Sequence, residues 1–204
     1  MGNVTLLAVS KTRGPESVRL AFAAGQAAFG ENYVQEGVAK VEALVDLRPA
    51  LSWHFIGPLQ ANKTRAVAET FDWVHTVDRP RIAERLSAQR PAGLPPLQVC
   101  LQVNVSGEAT KSGVAPEELD ALAGAVGALP GLRLRGLMSI PEPADDPEAQ
   151  RRPHRRLNEL FAGLVARGHA LDTLSMGMSD DLEAAILEGA TVVRVGTAVF
   201  GVRD

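Results

Sequence analysis

Apolar residues along this chain follow two alternating rhythms. Short apolar or β-branched runs occupy residues 6–11, 27–30, 53–57, 73–77, 97–105, 132–140, 173–178 and 192–200, with the length and composition of buried strands. Between them, residues 15–24, 34–47, 63–70, 80–89, 116–129, 153–167 and 180–187 carry apolar positions at helical spacing. Several of these stretches open with proline or stop at glycine, as at Gly25, Gly168 and Gly189. Proline fits a helix's first turn and glycine its left-handed exit. Strands that alternate with helices form parallel sheets covered on both faces. Eight such strands predict one α/β domain over residues 1–204, a closed (β/α)8 TIM barrel. An open doubly wound sheet is the alternative.

Composition narrows the class. A chain of 204 residues with 46% hydrophobic content suffices for one well-buried domain and is short for two. Its formal charge of −3 supplies no field for gathering nucleic acid or an anionic membrane, so a small molecule is the expected partner. Cys100, the single cysteine, lies inside an apolar run. It predicts a buried, inert thiol and a reducing, cytoplasmic setting. No apolar run approaches a membrane span, and the start Met1-Gly2-Asn3 has no signal-type core. The acidic, proline-rich segment 141–147 reads as a loop, and Arg151, Arg152, His154, Arg155 and Arg156 behind it as a solvated helix start.

Candidate chemistry begins at Lys11, which ends the run Leu6-Leu7-Ala8-Val9-Ser10. Strand alternation puts it on the face of Leu7 and Val9, pointing into the fold. A lysine so placed can hold a carbonyl compound as a Schiff base, although a solvated stem is the commoner role. In a barrel the first and last strands are neighbours, which brings Lys11 beside Arg194, Gly196 and Thr197. Barrels often bind phosphate on the loops after strands seven and eight. Ser179, Gly196 and Thr197 supply hydroxyls and backbone amides there, where a helix cap and a tight turn are the plainer readings. A Schiff-base lysine opposite a phosphate cradle asks for a phosphorylated aldehyde, of which pyridoxal 5′-phosphate is the commonest. Arg194 faces the interior, either paired with a barrel carboxylate or facing the cofactor's pyridine nitrogen. A guanidinium can only donate, so that nitrogen would stay unprotonated and the ring would be a weak electron sink.

The segments Leu7-Ala8-Val9-Ser10-Lys11-Thr12, Phe29-Gly30-Glu31-Asn32-Tyr33, Trp53-His54-Phe55-Ile56-Gly57-Pro58-Leu59-Gln60, Gln102-Val103-Asn104-Val105, Leu137-Met138-Ser139-Ile140-Pro141, Leu174-Ser175-Met176-Gly177-Met178-Ser179-Asp180, Val193-Arg194-Val195-Gly196-Thr197 and Phe200-Gly201 carry a resemblance. In these the chain resembles the pyridoxal phosphate homeostasis proteins of the YggS/PROSC type, which share the barrel of alanine racemase and lack its second domain. The resemblance implies that Lys11 bears the cofactor, that Ser179, Gly196 and Thr197 hold its phosphate, and that Arg194 faces its ring nitrogen. It further implies that Asn32, Tyr33, His54, Asn104 and Met138 line the cofactor or the mouth above it. Lys111 matches a second family lysine in the loop after strand five, which implies a role in taking or passing on the aldehyde, with an exposed loop lysine as the simpler account. A generic His54 would be a satisfied core histidine, and no histidine has metal-ligand spacing to another.

The expected function is a cytoplasmic carrier or buffer of pyridoxal phosphate without strong catalysis of its own. Apoenzymes that use the cofactor are its possible partners, and nucleic acid and membrane are not. An amino-acid racemase on the same barrel is the rival, and a Schiff-base aldolase acting on a phosphosugar a more distant one. Family members usually carry a helix before the first strand, whereas here that strand starts within a few residues of Met1. The outward-facing Leu6, Ala8, Val193, Val195 and Val199 would then form an apolar seam. Another subunit, or a helix re-routed from elsewhere, is expected to cover it, giving a monomer or a weak homodimer through the strand 8/strand 1 seam. A misassigned start is the competing account of the missing helix.

Overall fold

Eight strands, β1 (Thr5–Val9), β2 (Ala28–Glu31), β3 (Ser52–Phe55), β4 (Trp73–Val77), β5 (Leu97–Gln102), β6 (Leu132–Met138), β7 (Thr173–Ser175) and β8 (Val192–Val195), close in sequence order into a barrel. The structure, a computed structural model, describes residues 4–107 and 112–201. Every pairing is parallel, including the seam of β1 on β8, where Leu7 lies opposite Arg194. Helices α1 (Pro15–Ala23), α2 (Val34–Ala43), α3 (Thr64–Thr70), α4 (Pro80–Gln89), α5 (Leu119–Gly127), α6 (Pro147–Ala166) and α7 (Leu182–Leu187) fill the crossovers, and a short α8 (Thr197–Phe200) follows β8.

Alternation along the strands divides the apolar residues between two clusters. The larger lies between sheet and helices, with Ala8, Phe29, Trp53 and Phe55 meeting Val18, Val41 and Ile82. The smaller is inside the barrel, where Leu7, Ile56 and Val192 pack with Val9 and Ala28. The rest of the lumen is more polar. His75 on β4 hydrogen-bonds Ser175 on β7 at 2.8 Å, across two intervening strands.

Several boundaries differ from the sequence reading. The run 192–200 is strand only to Val195, and residues 197–200 turn into α8. The Val199 and Phe200 amides bond back to Gly196 O, because β7 ends at Ser175 and β1 at Val9, leaving no neighbour to continue the ladder. Lys11 likewise stands beyond β1, in a turn where Thr12 takes φ 64°. Helix α6 starts at Pro147, not at 153: the Asp146 carboxylate accepts the Ala149 N–H at 2.7 Å, and Pro147 occupies the first turn. Pro153 therefore lies within the helix.

The expected apolar seam is largely absent. Ala8, Val193 and Val195 are buried by the chain's own core, while Leu6 and Val199 are 40% and 37% exposed. Two separate exposed side chains need no covering partner.

Cys100 is fully buried, and burial pushes its thiol up to about 12. A thiol kept neutral and shielded should not react with Ellman's reagent in the native protein at pH 8. One equivalent should appear on denaturation.

Candidate functional site

A cleft of about 520 Å³ opens at the carboxyl ends of the strands, where barrel loops converge. Lys11, Asn32, Ser179, Arg194, Gly196 and Thr197 all line it, with Val9 and Ile56 among the apolar walls. Strand β8 and the segments that follow β1, β2, β7 and β8 thus bring together six of the residues expected at the cofactor.

The turn that carries Lys11 is anchored from behind by buried charge. Ser10 donates its hydroxyl to Glu31 Oε1 at 2.6 Å, and Lys40 Nζ donates to the same oxygen at 2.5 Å and to Ser10 O at 2.7 Å. Glu36 Oε1 accepts from Lys40 at 3.1 Å and from the Thr12 N–H at 2.5 Å, and so ties α2 to both sides of Lys11. Glu31 and Lys40 are almost wholly buried, and desolvation drives the Glu31 carboxyl upward against the pull of the Lys40 ammonium. Sequence reading missed Glu36 and Lys40. The available signal was a lysine within the buried stripe Val34, Gly37 and Val41 of α2, four residues after Glu36.

Next to this turn, the Asn32 backbone passes so close to Gly57 that a Cβ there would fall 2.0 Å from Asn32 O. Only glycine fits that approach. The buried Asn32 Oδ1 has no hydrogen-bond partner among the described residues.

On the opposite wall, Asp181 shapes the loop after β7. Its Oδ1 accepts the Met178 N–H at 2.6 Å and its Oδ2 meets His154 Nε2 at 2.9 Å. Burial favours the neutral acid, yet the bonds from His154 and Met178 outweigh it and hold the Asp181 carboxyl below its ordinary range. His154 is completely buried, and Arg151 and Arg155 both reach Glu188. Part of the basic cluster is therefore internal clamp, where a solvated helix start was expected.

Gly196 has φ −110°, so no left-handed backbone demands glycine there. A Cβ would approach only Val9, at 3.4 Å, leaving the missing side chain as open cleft. Arg194 is 4% exposed and donates to Ser175 O at 2.6 Å, Ser175 Oγ at 2.9 Å and Ser139 O at 2.8 Å. Its contacts are carbonyls and a hydroxyl, with no carboxylate among them. Burial lowers its pKa to about 10, which still leaves a cation at neutral pH.

The other expected residues stand elsewhere. Tyr33 precedes α2 and is 57% exposed, outside the cleft lining. His54 is buried in the lumen against His75, and Met138 is buried at the end of β6. Asn104 accepts the Gly107 N–H at 3.1 Å, bracing its own loop. Lys111 lies outside the described residues. Among the described residues no group of three or more His, Cys, Asp or Glu could hold a metal ion, and no helix is long and apolar enough to cross a membrane.

A parallel barrel with an amine, a guanidinium and an open glycine floor at one mouth defines an alanine racemase-type barrel, and residues 1–204 match the family described as alanine racemase, N-terminal domain. Over 201 residues the chain is 66% identical to the Pseudomonas aeruginosa pyridoxal phosphate homeostasis protein, covering 98% of this chain and 85% of that one. Over 202 residues it is 58% identical to the Escherichia coli K12 protein of the same name, covering 98% and 86%. The structure of Synechococcus elongatus PipY with pyridoxal phosphate bound superposes with a TM-score of 0.89 at 40% identity, over 97% of this chain and 92% of that one. Alanine racemase from Corynebacterium glutamicum, with a TM-score of 0.75 at 18% identity over 99% of this chain and 57% of that one, shares the fold. The chain belongs to the pyridoxal phosphate homeostasis protein family.

The two lumenal histidines carry a pH consequence. Burial pushes the His54 imidazole down to about 3 and His75 well below its ordinary range, helped there by His54 and Arg194. Both are neutral in the folded protein and titrate near pH 6.5 when unfolded. The unfolded chain then binds more protons below pH 6.5, so stability should fall on acidification, by up to about 1.4 kcal/mol per pH unit for each histidine. Urea unfolding between pH 7 and 5 should show that slope, and His75→Asn should reduce it.

Proposed function

We propose that the chain binds pyridoxal 5′-phosphate in this cleft, as a Schiff base on Lys11, and acts as an intracellular carrier or buffer of the cofactor. The observation that carries the reading is the convergence of Lys11, Arg194 and the Ser179, Gly196 and Thr197 loops on one cleft. The residues fit the group. Asn32 Oδ1, without a hydrogen-bond partner among the described residues, and the space that a Cβ at Gly196 would fill are what a polar, flat ligand uses. Ser179 and Thr197 hydroxyls and the amides of their loops suit a phosphate, and Arg194 suits a ring nitrogen that accepts a hydrogen bond. When bound, the cofactor would supply an aldehyde with which the Lys11 amine could condense, with release of water. An incoming amine can reverse the capture, which suits handing the cofactor to apoenzymes.

Holding is favoured over catalysis. With Arg194 donating to the ring nitrogen, the ring is a poor sink for carbanion electrons. Tyr33, the only tyrosine, does not line the cleft, so no tyrosine there can move a proton on a second face. The lone buried Cys100 and the charge of −3 suit a cytoplasmic protein without nucleic-acid partners.

Purified protein loaded with pyridoxal phosphate should show a visible absorption band that borohydride removes, leaving the label on Lys11. Lys11→Ala should lack the band, and the same reducible band on another lysine overturns the assignment. Ser179→Ala should weaken pyridoxal phosphate binding by about 1.5–3 kcal/mol, roughly ten- to a hundredfold, with much less effect on pyridoxal. Equal losses for the two ligands would leave Ser179 no phosphate role. Free amino acids should not racemise at ordinary enzyme rates, of order 1 s⁻¹ or above, and such a rate would establish the racemase reading instead.

A further inference from the structure

His54 belongs to a segment that carries the family resemblance, yet it lies away from the cleft. A chain of lumenal hydrogen bonds connects it to the cleft all the same. Ser52 Oγ meets His54 Nε2 at 3.0 Å, His54 Nδ1 meets His75 Nε2 at 2.9 Å, and His75 Nδ1 meets Ser175 Oγ at 2.8 Å. Arg194 Nη1 closes the chain on the same Ser175 Oγ at 2.9 Å.

Counting protons sets the direction of this chain. A guanidinium only donates, so Ser175 Oγ accepts from Arg194 and its own hydrogen is directed to His75 Nδ1. His75 then carries its proton on Nε2 and donates to His54 Nδ1, and His54 donates from Nε2 to Ser52. Ser52 is half-buried, which leaves the last hydroxyl hydrogen at the wetter end. The opposite direction would strand the Ser175 hydroxyl hydrogen in a fully buried place, at the cost of an unmade bond.

We propose that Ser175 and His75 are positioning residues for Arg194. Resting on the pyridoxal phosphate reading, the proposal is that His75 locks the Ser175 hydroxyl as an acceptor, so that the guanidinium hydrogens not spent on Ser175 and Ser139 face the ring nitrogen of the cofactor. A free serine hydroxyl could rotate its hydrogen toward Arg194 and repel it; the imidazole removes that rotamer. Burial, which keeps both histidines neutral, also keeps a second cation away from the guanidinium.

Two measurements test this. In ligand-free protein, nitrogen-15 spectra of the imidazoles should show His54 and His75 neutral and protonated on Nε2 at pH 7, with His75→Asn assigning the signals. A charged His75, or one protonated on Nδ1, overturns the proposal. The second compares binding of pyridoxal phosphate with its 1-deaza analogue, in which C–H replaces the ring nitrogen. Wild type should prefer the natural ring by about tenfold or more, one hydrogen bond to a charged donor. In Ser175→Ala and His75→Leu that ratio should fall toward one, while Ser175→Thr and His75→Asn, which keep the hydroxyl and an acceptor near the Nδ1 position, should preserve it. Weaker binding of both compounds with an unchanged ratio would make the residues merely structural and overturn the proposal. A wild type without preference removes Arg194 from the ring nitrogen and takes the proposal with it, whereas borohydride labelling away from Lys11 overturns the underlying reading of the site.

Discussion

Parallel pairing of β1 with β8, from Thr5 opposite Val192 to Ala8 opposite Val195, is the constraint on which the site depends. It joins strands from opposite ends of the described chain. The register of this seam sets Leu7 beside Arg194 and delivers the Lys11 turn next to Gly196 and Thr197. A shift of one residue would exchange the inner and outer faces of β8, moving Arg194 toward the helices and Val193 or Val195 into the lumen. Apolar packing resists that shift from both sides of the sheet, since Ala8, Val193 and Val195 belong to the outer core and Leu7 and Val192 to the inner one.

Buried polar groups then determine where the functional side chains stand. The Lys40–Glu31 pair is a costly way to gain stability, because two desolvated charges roughly cancel their own attraction. Its consequence is geometric: Ser10, Glu36 and Thr12 are tied to it, and with them both neighbours of Lys11. Asp181 plays the same part for the loop of Ser179, and Ser139 and Ser175 for Arg194. Lys11, Ser179 and Arg194 thus stand on separate anchors, supplied by different parts of the barrel.

The barrel itself is more widely shared. Structures with 18% identity or less to this chain, among them alanine racemase and lysine decarboxylase, are longer chains of which the match covers little more than half. The likeness to them is one of fold, so function has to be argued from the cleft. That cleft is lined by a guanidinium that can only donate and by no tyrosine among the described residues, which is why capture and release of an aldehyde is the chemistry proposed for it.

Much of the fold was legible because apolar periodicity reports burial directly. The eight strands and the identity of Lys11, Ser179, Arg194, Gly196 and Thr197 as neighbours followed from strand alternation and barrel closure. Where the periodicity carried no information, the reading failed. The run through Val199 looked like strand, but β8 stops when its neighbours do. Pro153 looked like a helix start, but the cap at Asp146 precedes it. His54, which the resemblance set at the cofactor or the mouth above it and which a generic reading made a satisfied core histidine, is buried in the lumen between Ser52 and His75. Local sequence determined which residues face inward and outward; only the closed barrel decided which buried polar groups meet, because hydrogen-bond partners such as His75 and Ser175 are 100 residues apart and their contact exists only across the lumen.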